Sequence, residues 1–281
     1  FVDKVERDAP QQMTETDKII CRDKALDYRV LNLASNTFNE NETSYYHKSI
    51  GGYHPAKLRR YQEMIDAHIA PEMQKTMKAV AEAGGDMTKV NGDSIFPVLN
   101  MLNTKYFIFP LQGGQTVPVQ NPYAYGNAWF VDKVTYANNA NEEIDEVGKL
   151  NLRHEAVADA KFKEQLGQSV PQDDTSMVKM IQYKPNNLTY EVKSSKGGVI
   201  VFSEIYYPGW TATVDGQPAE LGRVNYILRA LNVKPGSHKV VLDFHPSSLK
   251  KTETVAYIGY VVLLLLLVVG IGVEWKKKKA E

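Results

Sequence analysis

The 281-residue chain carries 33 basic and 33 acidic side chains, a formal net charge of zero, six histidines and one cysteine. Setting aside Glu274, Glu281 and the lysines at 276–279 leaves 29 basic and 31 acidic residues, which excludes the concentrated basic face a nucleic-acid partner needs. A lone Cys21 excludes an internal disulfide and fits a bacterial envelope protein held together by its core.

Residues 1–24 are polar and charged, and read as a linker. Tyr28-Arg29-Val30-Leu31-Asn32-Leu33 alternates as a strand does, and Asn36 to Ser49 is loop in composition. Gly51-Gly52-Tyr53-His54-Pro55 is a turn, with Pro55 placed to open a helix that carries Leu58, Tyr61, Met64 and Ile65 on one face. Pro71 ends that helix or starts its successor, which stops at Gly84-Gly85. A short apolar helix over Ser94 to Asn103 and strands at Lys105–Phe109 and Trp129–Val131 follow. Ala140 to Gln168 reads as one or two exposed helices, so residues 25–168 form a mixed α/β domain.

After Val170 the pattern changes. Period-two alternation recurs in Met177–Tyr183, Leu188–Lys193, Val199–Glu204, Thr211–Val214, Tyr226–Leu231 and Lys239–Phe244. Turn residues separate these runs, among them Asp215-Gly216, which suits a tight hairpin, and Pro235-Gly236, which suits a type II turn. Residues 169–250 are therefore expected as an antiparallel β-sandwich. From Thr254 to Val273 no residue is charged, a span of about 30 Å as a helix and the thickness of a bilayer's hydrocarbon core. Tyr257, Tyr260 and Trp275 flank it as interfacial rings, and four lysines close it. The fold class is α+β: a mixed α/β N-terminal region, an antiparallel β-sandwich and one C-terminal transmembrane helix.

The four tail lysines outweigh Lys250 and Lys251, so residues 274–281 are expected as a cytoplasmic basic tail and the bulk as extracytoplasmic. Export of such a bulk needs a signal, and the stretch from Phe1 has neither a basic n-region nor an apolar h-region. The expectation is a fragment whose remaining partner, besides the bilayer, is an N-terminal membrane portion of the same protein.

Gly92-Asp93-Ser94-Ile95 has the look of an esterase nucleophile block, but no buried strand precedes it and no late Asp-x-x-His pair follows. A helix cap by Asp93 or Ser94 explains it better, and no catalytic residue is assigned. The histidines have no metal-ligand spacing, so neither a metal site nor a cofactor is expected. Two clusters remain as candidate binding residues. Tyr207 and Trp210, with Arg223, could stack and hydrogen-bond a sugar; alternatively, Trp210 and one tyrosine anchor the core. Tyr45, Tyr46, Tyr53, His54 and Arg60 surround the Gly51-Gly52 turn, where paired glycines permit close backbone approach to another surface. These five could face the remaining membrane portion, or pack as an ordinary turn at the start of a helix.

Tyr206-Tyr207-Pro208-Gly209-Trp210, Val214-Asp215-Gly216, Asn225-Tyr226, Pro235-Gly236-Ser237-His238-Lys239-Val240 and the terminal helix together resemble the C-terminus of YfhO-family membrane proteins. Tyr45-Tyr46, Gly51-Gly52-Tyr53-His54-Pro55, Arg60-Tyr61 and Leu99-Asn100-Met101-Leu102-Asn103-Thr104-Lys105-Tyr106 look like the same family's extracytoplasmic region. The resemblance implies a polytopic protein of the bacterial cytoplasmic membrane similar to GT-C glycosyltransferases, taking sugar from a polyprenyl-phosphate donor for an envelope glycopolymer. It implies that the catalytic acid lies in an early loop outside this sequence, leaving this chain as a non-catalytic accessory domain. The other reading from the residues is a single-span carbohydrate-binding or adhesion module without enzymatic activity.

Overall fold

The computed structural model describes residues 3–4 and 11–280. Residues 1–2 and 5–10 of the expected linker, and Glu281 of the tail, lie outside the described residues. Residues 15–20 of the linker segment are an α-helix, Glu15–Ile20, closed at its start by a reciprocal Thr14–Asp17 capping box and burying Ile20.

Strands follow in chain order: β1 (Arg29–Asn32), β2 (Thr104–Pro110), β3 (Thr116–Gln120), β4 (Ala128–Val131), β5 (Lys133–Ala137), β6 (Glu155–Asp159) and β7 (Met177–Lys184). Then come β8 (Asn187–Ser194), β9 (Gly198–Ile205), β10 (Trp210–Val214), β11 (Gln217–Ala219), β12 (Gly222–Val224), β13 (Leu228–Val233) and β14 (Gly236–Phe244). Two sheets face each other in a sandwich-like arrangement, one ordered β11-β10-β14-β8-β7 and the other β12-β13-β9-β4. Tyr190, Ile200, Phe202, Leu231, Val240 and Leu242 fill the space between them. Strand β9 is buried on both faces: Ile200 and Phe202 point into that core, while Val199 and Val201 join a second one with Trp129, Leu99 and Phe107. A small sheet β1-β2-β3 and the parallel pair β5-β6 complete the α/β part.

The Asp215-Gly216 hairpin forms as its chemistry dictates, both residues at positive φ (51° and 80°) between paired Val214 and Gln217. Three local expectations differ from the structure. Helix formation begins at Arg59 rather than Pro55, because the N–H groups of Gly52 and Tyr53 are drawn to the carbonyls of Thr37 and Glu40 and hold the segment as loop. Pro71 starts a successor helix as expected, standing in the first turn of α-helix Ala70–Glu82. A π-helical turn at Ile65–Ile69 joins it to the preceding helix, Arg59–Met64. Within Ala140–Gln168 lies β6, whose Ala156, Val157 and Ala158 are fully buried, so no alternation betrays it. The expected strand at Tyr226 is instead a turn, Asn225 and Tyr226 both at positive φ, locked by exchange of hydrogen bonds between Asn225 and Val157.

The cap expected from Asp93 or Ser94 is supplied from elsewhere. The Glu72 carboxyl oxygens accept the N–H groups of Val98 and Leu99, at 3.0 and 2.9 Å, at the start of helix Pro97–Met101. From β14 the chain passes through His245 and Pro246 into one helix, Ser247–Ala280. Its segment Lys251–Val273 has a mean hydropathy of 2.6, and none of it is buried against the rest of the molecule.

Candidate functional site

The loop between β9 and β10 decides where the site lies. Gly209 sits at φ +101°, and a Cβ added there would lie 3.0 Å from Pro246. The His245 N–H donates to the Gly209 carbonyl at 2.8 Å. Phe244 brings its ring to 5.3 Å from Trp210 and 6.2 Å from Tyr207. The Tyr207–Trp210 loop is thus fastened to the foot of the terminal helix. Four residues of helix separate Pro246 from the span beginning at Lys251, a rise of about 7–8 Å. That distance is about the depth of a lipid headgroup layer.

Beside this loop opens a cavity of about 400 Å³, closed on the far side by Ser49, Ile50, Gly51 and Leu58. Arg29 and Arg229 form its floor with Glu204. One Arg29 nitrogen donates to the carbonyls of Leu102 (2.8 Å) and Ser203 (2.6 Å), the other to Glu204 at 3.2 Å. Arg229 donates Nε to the Ile205 carbonyl at 3.0 Å and holds Nη2 at 3.8 Å from Glu204. Its Nη1 is buried without a hydrogen-bond partner among the described residues. The guanidinium carbon lies 3.8 Å over the Trp210 ring. Burial pulls the Arg229 pKa down to about 10, against the pull of Glu204. Behind the floor, Asp27 is bonded to Lys48, and burial pushes the Asp27 carboxyl above its usual range.

A second cavity, of about 280 Å³, shares Leu58, Tyr61, Ile205 and Tyr207 with the first and continues the cleft toward Arg60, Arg223 and Tyr226. Here the fully buried Glu143 accepts from Arg223 at 2.8 Å and from Arg60 at 3.3 Å, both on the same oxygen. Arg60 also covers the Tyr226 ring at 4.3 Å, and the Tyr226 hydroxyl is bonded to Glu63. A larger cavity of about 710 Å³ lies around Gly84–Met87 and Leu111, with Asp86 as its single charged residue. Strand β2 carries it about 20 Å from Leu102 in the wall of the cleft, and its apolar lining offers little chemistry.

Of the residues singled out from the sequence, Arg60, Tyr207, Trp210 and Arg223 meet around this cleft. Tyr207 is exposed at the lip and Trp210 half-buried. Arg223 is buried, its guanidinium committed to Glu143 and close to Asp159. Tyr45, Tyr46, Tyr53 and His54 do not line these cavities. Tyr45 and Tyr53 are exposed, Tyr46 donates to the Gln11 carbonyl at 2.6 Å, and the His54 ring accepts from the Ala56 N–H. Gly51 does make a close approach, but to the Thr37 carbonyl of this same chain, where a Cβ would intrude to 1.9 Å. Sequence reasoning overlooked Arg29, Glu204 and Glu143. The available signal was a charge within or ending an apolar strand: Arg29 before Val30-Leu31, and Glu204 after Val199–Phe202.

Two sequence-distant motif pieces also explain each other. His238, from Gly-Ser-His, bonds through Nδ1 to Asp215 of the Asp-Gly hairpin at 2.7 Å, which raises the His238 pKa and holds the Asp215 carboxyl below its usual range.

A strongly apolar, unburied helix following an α+β body, with a charged cleft near its foot, defines a membrane-anchored protein. The chain belongs to the YfhO family: the family described as bacterial membrane protein YfhO matches residues 114–255, from just before β3 into the terminal helix. No curated protein and no solved structure matches the chain.

Proposed function

We propose that this chain is the non-catalytic extracytoplasmic accessory portion of a polytopic membrane glycosyltransferase that moves sugar from a polyprenyl-phosphate donor to an envelope glycopolymer. The carrying observation is the position of the cleft: its Tyr207–Trp210 loop packs on Pro246 at the foot of the terminal helix, which supports a place close to the membrane surface, where a lipid-linked donor would be presented. Family membership and the single apolar helix support a membrane setting. In this reading the body stands outside, the tail lies in the cytoplasm, and further spans of the same protein supply the reacting groups. Residues 25–168 would then supply the lip around Gly51 and Leu58, and residues 169–250 the wall and floor.

Tyr207, Trp210 and Arg60 are proposed to guide the donor or acceptor, while Arg223 shapes the cleft through Glu143. Tyr45, Tyr46, Tyr53 and His54 are proposed to touch the membrane portion. Cells carrying the full-length protein with Tyr207→Ala or Arg60→Ala should show reduced envelope glycosylation at unchanged protein abundance. Wild-type glycosylation in both variants would refute the reading.

A further inference from the structure

We infer that the 400 Å³ cavity is a binding site for the phosphate group of a membrane-lipid headgroup, with the Arg229 guanidinium as its anchor. The inference rests on three features that meet at one place.

The first is charge. Arg29 and Arg229 line the cavity with the single acidic residue Glu204, while Asp27 behind the floor is paired with the partly exposed Lys48. Two arginines and one carboxylate therefore line the cavity, an excess of one cation in its lining. A buried charge in excess is costly, so the pocket favours an occupant with one negative charge. The second is an open valence. Arg229 is 3% exposed, yet its Nη1 lacks a partner among the described residues while Nε and Nη2 are engaged. A guanidinium with a free donor edge matches a phosphate oxygen. The third is position and shape. Apolar walls come from Ile50, Leu58, Tyr61, Leu102, Tyr207 and Trp210, and the Trp210 loop packs on Phe244 and Pro246, a few residues before the apolar span. An apolar throat leading to a cationic floor suits an amphiphile that enters head first.

The site does not require the parent protein to be a glycosyltransferase. Only its use for a polyprenyl-phosphate donor rests on the proposed function.

The test titrates the purified full chain, in a neutral detergent, with dihexanoyl phosphatidylglycerol and separately with inorganic phosphate, followed by calorimetry. Saturable binding of phosphatidylglycerol is expected, weakened about tenfold or more in Tyr207→Glu, which sets a like charge at the exposed lip without disturbing the core. Glu204→Gln removes the single carboxylate of the lining and should tighten binding several-fold. Arg229→Gln should abolish it, with circular dichroism as the check on folding. Binding of phosphatidylglycerol alone assigns a lipid headgroup. Equal binding of inorganic phosphate keeps the anion site but overturns the lipid assignment. No saturable binding of either, or binding indifferent to Tyr207→Glu and Glu204→Gln, overturns the site. Binding that persists while full-length glycosylation ignores the cleft variants would sink the proposed function alone.

Discussion

Arg229 lies over Trp210, guanidinium carbon to ring centre 3.8 Å, and this contact joins the floor of the cleft to the loop at the foot of the membrane helix. Trp210 is held on its other neighbour, Phe244, at the end of the last strand. Trp210→Ala should therefore destabilise the body by about 2–3 kcal/mol, somewhat below the range for a fully buried tryptophan. Urea unfolding followed by circular dichroism measures it; a change under about 0.5 kcal/mol would contradict the packing role.

Gly209 couples backbone strain to the membrane junction. Its φ of +101° disfavours any side chain, and Pro246 stands where a Cβ would go. Gly209→Ala is expected to cost about 1–3 kcal/mol and to loosen the 244–247 junction. Hydrogen exchange at the His245 amide, which the Gly209 carbonyl protects, should accelerate in the variant.

Glu143 binds two arginines unequally. Arg223 is buried and Arg60 is about one-third exposed. Removing a partner from a buried pair costs about 3–5 kcal/mol, whereas an exposed one contributes about 0–1. Arg223→Ala should consequently be the more destabilising substitution, Arg60→Ala much milder, and urea midpoints of the two variants would rank them. Equal loss would mean that the Arg60 contact is as buried in effect as that of Arg223.

Glu72 makes stability depend on pH. Burial raises its pKa to about 8, while the Val98 and Leu99 N–H groups and Lys75 pull the other way. The folded state then holds a proton that the unfolded state, at the usual carboxyl pKa of 4.5, has released. This contribution is fully present below about pH 4.5 and is lost as pH rises toward 8. Unfolding free energies at pH 5 to 8 should fall in the wild type, with Glu72→Gln removing that part of the slope. An unchanged slope in the variant would show that another group is responsible.

Orientation is open to direct measurement. In a Cys21→Ser background, Lys278→Cys should react with a membrane-impermeant maleimide only after permeabilisation, because four clustered lysines favour the cytoplasmic side. Labelling of intact cells would invert the proposed topology.

The sequence by itself determined what depends on local pattern: the apolar span, the strands of the sandwich-like part and the Asp215-Gly216 hairpin, each set by composition, period or turn chemistry within a few residues. Half of the candidate site was visible the same way, since an aromatic Tyr-Tyr-Pro-Gly-Trp run and a basic Arg60 stand out in any reading. What only the tertiary structure decided are the pairings across long stretches of chain. Arg29 and Glu204 are separated by 175 positions, and Arg60 and Arg223 reach Glu143 from opposite sides of it. Glu72 caps a helix 26 residues away, and the parallel pair β5-β6 buries a strand whose apolar run carries no periodic signature. A buried charge must find its counter-charge in space, and the fold rather than the neighbouring sequence chooses which one is near.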